Sequence, residues 1–315
     1  MTGSIPRIFD EAALLRSRKR ALSRKWAQDR KGTWEPLQPD QDRQRANFLI
    51  TMAEQDICER LDLVRRTFAS VLVFGGHADG LIRALLERPG VERVEVADIV
   101  LPPTIDARIQ RQQLRSLETL GVLDGSFDLI VSPLLLHWIN DLPGVLAQLR
   151  RALKPDGLLV ANLIGGRSLH ELRASFLAVE SELVTGVSPH VHPMIDVREM
   201  GGLLQRAKFA LPVADVDTVA VTYAHPLALM RDLRDMAVTN VLMERRRGCL
   251  RRETLKRVVD HYQKAWAGEH ARVTATLEII TVTGWAPHES QQKPLQPGAA
   301  QLRLADVLNA KKRRE

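Results

Sequence analysis

The six residues 75–80, GGHADG, separate an apolar run, 71–74, from leucines at helical spacing, 81–86. A glycine turn between a strand and a helix lets the backbone approach a ligand closely. It also points the free N–H groups of the helix start at a phosphate or carboxylate. Asp98 follows Gly75 by 23 residues, at the end of the next apolar run. That is near the roughly 20-residue spacing at which a carboxylate accepts hydrogen bonds from ribose hydroxyls. Gly75, Gly76, Gly80 and Asp98 are therefore expected to hold a ribose-bearing ligand, and the competing reading is a plain α/β turn with a surface aspartate.

A second group of chemical residues lies in LLLHWIND, 134–141. His137 is the best-placed general base, with Trp138 as a wall and Asp141 as its orienter. The alternative is that His137 and Trp138 pack a strand–helix junction while Asp141, just before Leu142 and Pro143, caps the next helix. His190 and His192 sit in the proline-punctuated stretch SPHVHP, 188–193, without a third ligand beside them. That pattern points to a loop over the active face, and no metal site is expected.

These residues need elements to position them. SVLVF (70–74), VERVEVADIV (91–100), FDLIVSP (127–133) and GLLVANLI (157–164) read as strands, with helices over 81–88 and 143–153 between them. Continuous apolar strands alternating with helices predict a parallel sheet covered on both faces. Further on, helical patterns run over 168–184 and 197–209, strand patterns over 213–223 and 273–285, and two more helices lie between those strands. The expected organisation is a basic N-terminal helical extension (1–45), one α/β domain (46–290) and a polar, basic C-terminal tail (291–315).

Composition bounds the rest. A chain of 315 residues with 45% apolar content can bury a substantial core. The two cysteines, Cys58 and Cys249, are far apart and form no CxxC pair, which speaks against a disulfide scaffold or thiolate metal site. No apolar run reaches the roughly 18 residues of a membrane span. The net charge of +7 is concentrated at the ends: residues 1–31 hold nine Lys or Arg against three acids, and the chain closes on KKRRE. Basic ends suit an acidic protein partner, nucleic acid or an anionic surface, or simply solvation. No aromatic-rich RNA-binding signature or zinc-finger spacing accompanies the charge, so nucleic acid is not expected.

Residues 127–166, FDLIVSPLLLHWINDLPGVLAQLRRALKPDGLLVANLIGG, resemble the middle of class I S-adenosylmethionine-dependent methyltransferases. LHWINDLP and LKPDG are similar to the malonyl carrier-protein O-methyltransferases. RIFDEAALLRSRKRAL, GGRSLHELR, SPHVHP and GWAPHESQ resemble the complex I assembly-factor family, whose mitochondrial member is described as a protein-arginine hydroxylase. The resemblance implies a Rossmann-like α/β fold: a seven-stranded sheet with helices on both faces and a reversed hairpin at its end. It implies S-adenosylmethionine as cofactor, with Gly75, Gly76 and Gly80 in its loop, Asp98 on its ribose, and Ser132, Pro133 and Leu134 as floor. Its implied partner is a protein substrate, a complex I subunit being the foremost candidate. Two alternatives are a non-catalytic assembly chaperone with a degraded cofactor site, and an O-methyltransferase acting on a carrier-protein thioester. Because the resemblance begins by residue 7, a bacterial cytoplasmic protein is expected, or a processed form in the mitochondrial matrix.

Three positions depart from the family pattern. Val73 replaces the usual acid at the strand end, His77 replaces a glycine, and Ser116 stands where an acid is expected near the adenine, with Glu118 the nearest carboxylate. Each lost charge-assisted hydrogen bond costs on the order of 1.5–3 kcal/mol, and two of them lower affinity by roughly two to four decades. Glu171, Arg173, Trp285, His288 and Ser290 are either parts of the substrate mouth or surface and strand-end residues.

Overall fold

A computed structural model describes residues 7–29, 48–101, 106–183 and 186–292. Residues 30–45 of the predicted N-terminal extension and 293–315 of the predicted tail lie outside the described residues.

Seven strands form one sheet: β1 (Ser70–Phe74), β2 (Arg93–Asp98), β3 (Ile109–Gln113), β4 (Phe127–Pro133), β5 (Leu153–Gly165), β6 (Ala210–Tyr223) and β7 (Val273–Trp285). Their order is β3-β2-β1-β4-β5-β7-β6. Strands β1 to β5 are parallel, and β7 runs antiparallel between β5 and β6. This is the Rossmann-like class I methyltransferase architecture, closed by a reversed pair of strands. Eight α-helices accompany the sheet among the described residues: α1 (Glu11–Asp29), α2 (Phe48–Asp62), α3 (Asp79–Glu87), α4 (Leu142–Ala152), α5 (His170–Glu180), α6 (Val197–Arg206), α7 (Pro226–Asp235) and α8 (Arg252–Trp266).

The pleat sorts each parallel strand into two cores. Val71 and Val73 of β1, with Leu129 and Val131 of β4, pack under α2 and α3 against Ile57, Leu61, Leu81 and Leu85. Their neighbours Leu72, Phe74 and Ile130 face the other way, toward Leu14 and Leu22 of α1, Leu149 of α4 and Leu204 of α6. Alternate side chains along a strand point to opposite faces, so a strand buried on both sides reads as one unbroken apolar run. A third core joins α5, α7 and α8 to β7 through Phe176, Leu229, Val258 and Leu277.

Strand β3 was not visible as a strand in the sequence. Its residues IQRQQ are polar, and it lies at the sheet's edge, pairing only with β2. Without a buried face it carries no apolar signal for a pattern to register. Strand order reverses between β1 and β4, so the carboxyl ends of β2, β1 and β4 flank the crevice where such sheets bind ligands.

Candidate functional site

The glycine turn leaves the carboxyl end of β1. Gly75 has φ +130°, a backbone state that side-chain-bearing residues rarely adopt, and its N–H donates to Ala97 O at 3.0 Å. A Cβ at Gly75 would lie 3.5 Å from Pro133 O and 3.6 Å from the Leu135 Cβ, so β1 and β4 come together where the turn begins. Gly80 lies in the first turn of α3, and its N–H donates to Glu54 Oε1 at 3.1 Å. A carboxylate of this chain thus already sits at that helix start.

Asp98, at the end of β2, is completely buried. Its Oδ1 accepts from Ile99 N at 2.6 Å and Val100 N at 3.4 Å. Its Oδ2 accepts from Gly76 N and from Arg18 Nη2, the latter at 2.5 Å. A carboxylate offers about four lone-pair sites, so every acceptor position on Asp98 is taken. Arg18 belongs to α1, and it is 3% exposed. Its Nε and Nη1 are buried with no hydrogen-bond partner among the described residues.

Two hollows lie against α1, with Trp138 lining both and Arg18 lining the smaller. Leu22, His77, Pro133, Leu134, His137 and Trp138 line a space of about 60 Å³. Leu14, Lys19, Ile99, Ser116 and Glu118 line a larger one of about 470 Å³. The first is well below the roughly 300 Å³ at which small-molecule sites begin.

His137 and Trp138 form a 3₁₀ turn after β4, packed against the end of β5. The Ile164 N–H donates to His137 Nδ1 at 3.4 Å, while Nε2 is buried without a partner among the described residues. An Nδ1 that accepts leaves the proton on Nε2. Burial first, then the neighbouring His192 and Arg18, hold the His137 pKa well below its ordinary value. His137, which lines the hollow, is therefore a neutral ring whose Nε2–H is buried. Ser132 is fully buried, and its hydroxyl donates to Phe74 O at 2.9 Å, tying β4 to β1. Leu134 takes φ +47° and donates its N–H to Asn162 O at 3.0 Å, which turns its side chain to the hollow.

Asp141 and Glu118 have local partners. Asp141 is the N-cap of α4, its carboxylate accepting from Gly144 N at 2.9 Å, so it is not bonded to His137. The two oxygens of Glu118 accept from Asn140 N at 2.8 Å and Asp141 N at 2.9 Å, beside the larger hollow.

The loop carrying His190 and His192 folds toward this cluster. His192 stacks on His137 and lies 4.8 Å from Trp138. His190 bonds to the buried Glu180 at 2.9 Å. Arg173 donates to His192 O at 3.0 Å, and Glu171 accepts from Thr276 N at 2.9 Å, joining α5 to β7. Trp285 pairs with Leu158, and His288 and Ser290 bond to each other beyond it, toward the amino end of β5. They lie at the opposite end of the sheet from the glycine turn. Among the described residues no group of three His, Cys, Asp or Glu side chains could hold a metal ion.

The residue that charge counting misplaced is Arg18. It counts toward a basic, solvated end, yet Ala13, Leu14, Ser17, Ala21 and Leu22, all buried, share its face of α1. The i, i+3, i+4 spacing of those residues was the available signal.

Residues 75–161 match the family model described as a methyltransferase domain. The chain is 34% identical to the mitochondrial arginine-hydroxylase NDUFAF5 of Danio rerio over 270 residues, 84% of each chain. The corresponding human protein is 33% identical, covering 87% of this chain and 79% of its own. A malonyl-[acyl-carrier protein] O-methyltransferase of Laribacter hongkongensis is 31% identical, covering 84% and 95%. Among solved structures, a protein of Bacillus halodurans shares the fold, with a TM-score of 0.50 at 14% identity over 76% of this chain and 99% of that one.

S-adenosylmethionine is the cofactor of such a domain, and the frame of this site fits it. The turn at Gly75 has no Cβ to intrude, a carboxylate ends the adjoining strand, and Arg18 and His137, which line the hollow, each keep buried donor atoms without a partner among the described residues. The chain belongs to the class I S-adenosylmethionine-dependent methyltransferases, in the branch that holds both the NDUFAF5 arginine-hydroxylases and the malonyl-[acyl-carrier protein] O-methyltransferases.

Proposed function

We propose that this protein is an enzyme that modifies a side chain of a protein substrate during assembly of respiratory complex I. The observation that carries the reading is the similarity to NDUFAF5 proteins over 84–89% of this chain in three vertebrates. Gly75, Gly76 and Asp98 would hold the cofactor's aminoacyl and ribose parts, with Ser132, Pro133 and Leu134 as its floor and Glu118 near the adenine.

Methyl transfer is the reaction proposed. S-adenosylmethionine supplies an already activated methyl group, so the protein's task is orientation and exclusion of water. Pro133, Leu134 and Trp138 give the hollow apolar walls, and the now buried His137 N–H would, once the hollow opens, be a fixed donor to orient an acceptor's carbonyl or carboxylate. A donor at that position, rather than a base, suits a nucleophile that arrives deprotonated or neutral.

The test is mass spectrometry of complex I subunits incubated with purified protein and S-adenosylmethionine. Addition of a methylene mass to one subunit is expected. Addition of an oxygen mass instead would replace methylation by hydroxylation. A second reading, methylation of a carrier-protein thioester, is favoured by the 95% coverage of the Laribacter enzyme. A malonyl carrier protein in the same assay decides it. Modification of neither substrate, with complex I assembly lost on deletion, would leave the chaperone role.

A further inference from the structure

We propose that α1 is a displaceable lid that competes with the cofactor, with Arg18 occupying on Asp98 the place that a ribose hydroxyl needs. The proposal rests on the cofactor reading above and adds a regulatory device to it.

The argument is one of acceptor counting. Asp98 can recognise a ribose only by accepting hydrogen bonds from its hydroxyls. Three of its four acceptor positions are filled by backbone N–H groups: those of Ile99 and Val100, which follow it in the chain, and that of Gly76 in the glycine turn after the neighbouring strand β1. The fourth is filled by Arg18, on an element remote in sequence and joined to the sheet, among the described residues, through side chains. The Arg18 bond is therefore the one that can be exchanged without unmaking the sheet. Space gives the same answer, because Arg18 and Leu22 reduce the hollow beside Pro133 and Leu134 to about 60 Å³.

The closed state is also poorly compensated. A guanidinium carries five N–H donors, and here two of its three nitrogens are buried without partners. A buried charge whose hydrogen bonds are incomplete repays its desolvation badly. This contact can hold α1 shut in the free protein yet yield to a ligand that satisfies Asp98 better. The start of α1 is anchored by contacts other than the Arg18–Asp98 bond: Ile8 and Phe9 donate to Asn140 Oδ1, both at 2.8 Å, and Asp10 pairs with Arg245 at 2.8 Å. Those bonds give the lid a fixed end to turn about.

The experiment is calorimetric titration of full-length protein with S-adenosylmethionine, comparing wild type with Arg18→Met, which keeps most of the buried stem but removes the charge. The variant is expected to bind at least fivefold more tightly, and Asp98→Asn more weakly than wild type. Equal or weaker binding by Arg18→Met overturns the lid while leaving the cofactor reading intact. If no variant and not the wild type binds, both fail. Amide hydrogen exchange on unmodified protein gives a second readout that does not depend on the variant folding. Saturating S-adenosylmethionine should accelerate exchange across residues 11–22, and unchanged protection there, with binding observed, overturns the lid as well.

Discussion

The imidazole of His192 stacks on that of His137, ring centroids 5.9 Å apart and planes 13° from parallel, with Trp138 tilted against both. Two histidines this close in a dry cluster cannot both carry charge. Burial first, and then the charge of Arg173, lower the His192 pKa from 6.5 to about 4. The unfolded chain therefore binds more protons than the folded one below pH 6.5, and stability falls as pH drops from 6.5 to about 4. The loss from His192 alone is about 3 kcal/mol. Urea denaturation between pH 4 and pH 8 should show this slope, and His192→Phe should flatten it. Parallel slopes for the two proteins would remove His192 from the account.

His137 has the same environment but a different consequence. With Nδ1 accepting from Ile164 N, the proton belongs on Nε2, which is buried without a partner among the described residues. Nitrogen-15 NMR of the imidazole at pH 7 should report a neutral ring in the Nε2–H tautomer. The pH profile of turnover should accordingly show no inflection between pH 6 and 8 that His137→Gln abolishes. Finding the Nδ1–H tautomer, or protonation above pH 6.5, would restore the general-base role.

How much of this was legible in the sequence depended on burial. Strands β1 and β4 are covered on both faces, and their apolar runs announced them to the residue, while β5 was announced only over its buried part and begins four residues earlier, at Leu153, through a polar stretch. The polar edge strand β3 carried no such mark. Gly75 and Asp98 were legible because spacing along a strand–turn–helix–strand unit is a local property. The position of Arg18 was not, since it depends on how α1 packs 80 residues away from Asp98, and a charge tally treats every arginine as solvated. Asp141 was readable either as an orienter or as a cap, and only the bond to Gly144 N distinguishes the two.

Gly75 carries a backbone demand that can be measured directly. At φ +130° its surroundings leave ordinary contact distances for a Cβ, 3.5 Å and more, so the cost of Gly75→Ala is conformational rather than steric. Holding an L-residue in a glycine-only region costs on the order of 1–3 kcal/mol. Thermal or urea unfolding should show that loss. A loss near zero would mean that the turn rearranges, and cofactor affinity should then fall instead.

The turn between the two hollows is held by two carboxylates whose roles can be separated. Asp141 caps α4 through Gly144 N, and Glu118, beside the larger hollow, receives the N–H groups of Asn140 and Asp141. Asp141→Ala should cost about 1 kcal/mol, and Asp141→Asn should recover most of it, because an asparagine oxygen caps nearly as well. Glu118→Gln should fare worse than its small change in shape suggests. One of its two acceptors becomes an NH₂ facing a backbone N–H, stranding that donor at a cost of about 1–3 kcal/mol. Both side chains order the same turn, so the double variant Asp141→Ala/Glu118→Gln should lose less than the sum of the single losses. Unfolding of the four proteins in urea closes this cycle. Strict additivity would mean that the cap and the Glu118 contacts stabilise separate parts of the fold, and that Glu118 is not what holds the His137-bearing turn against the crevice.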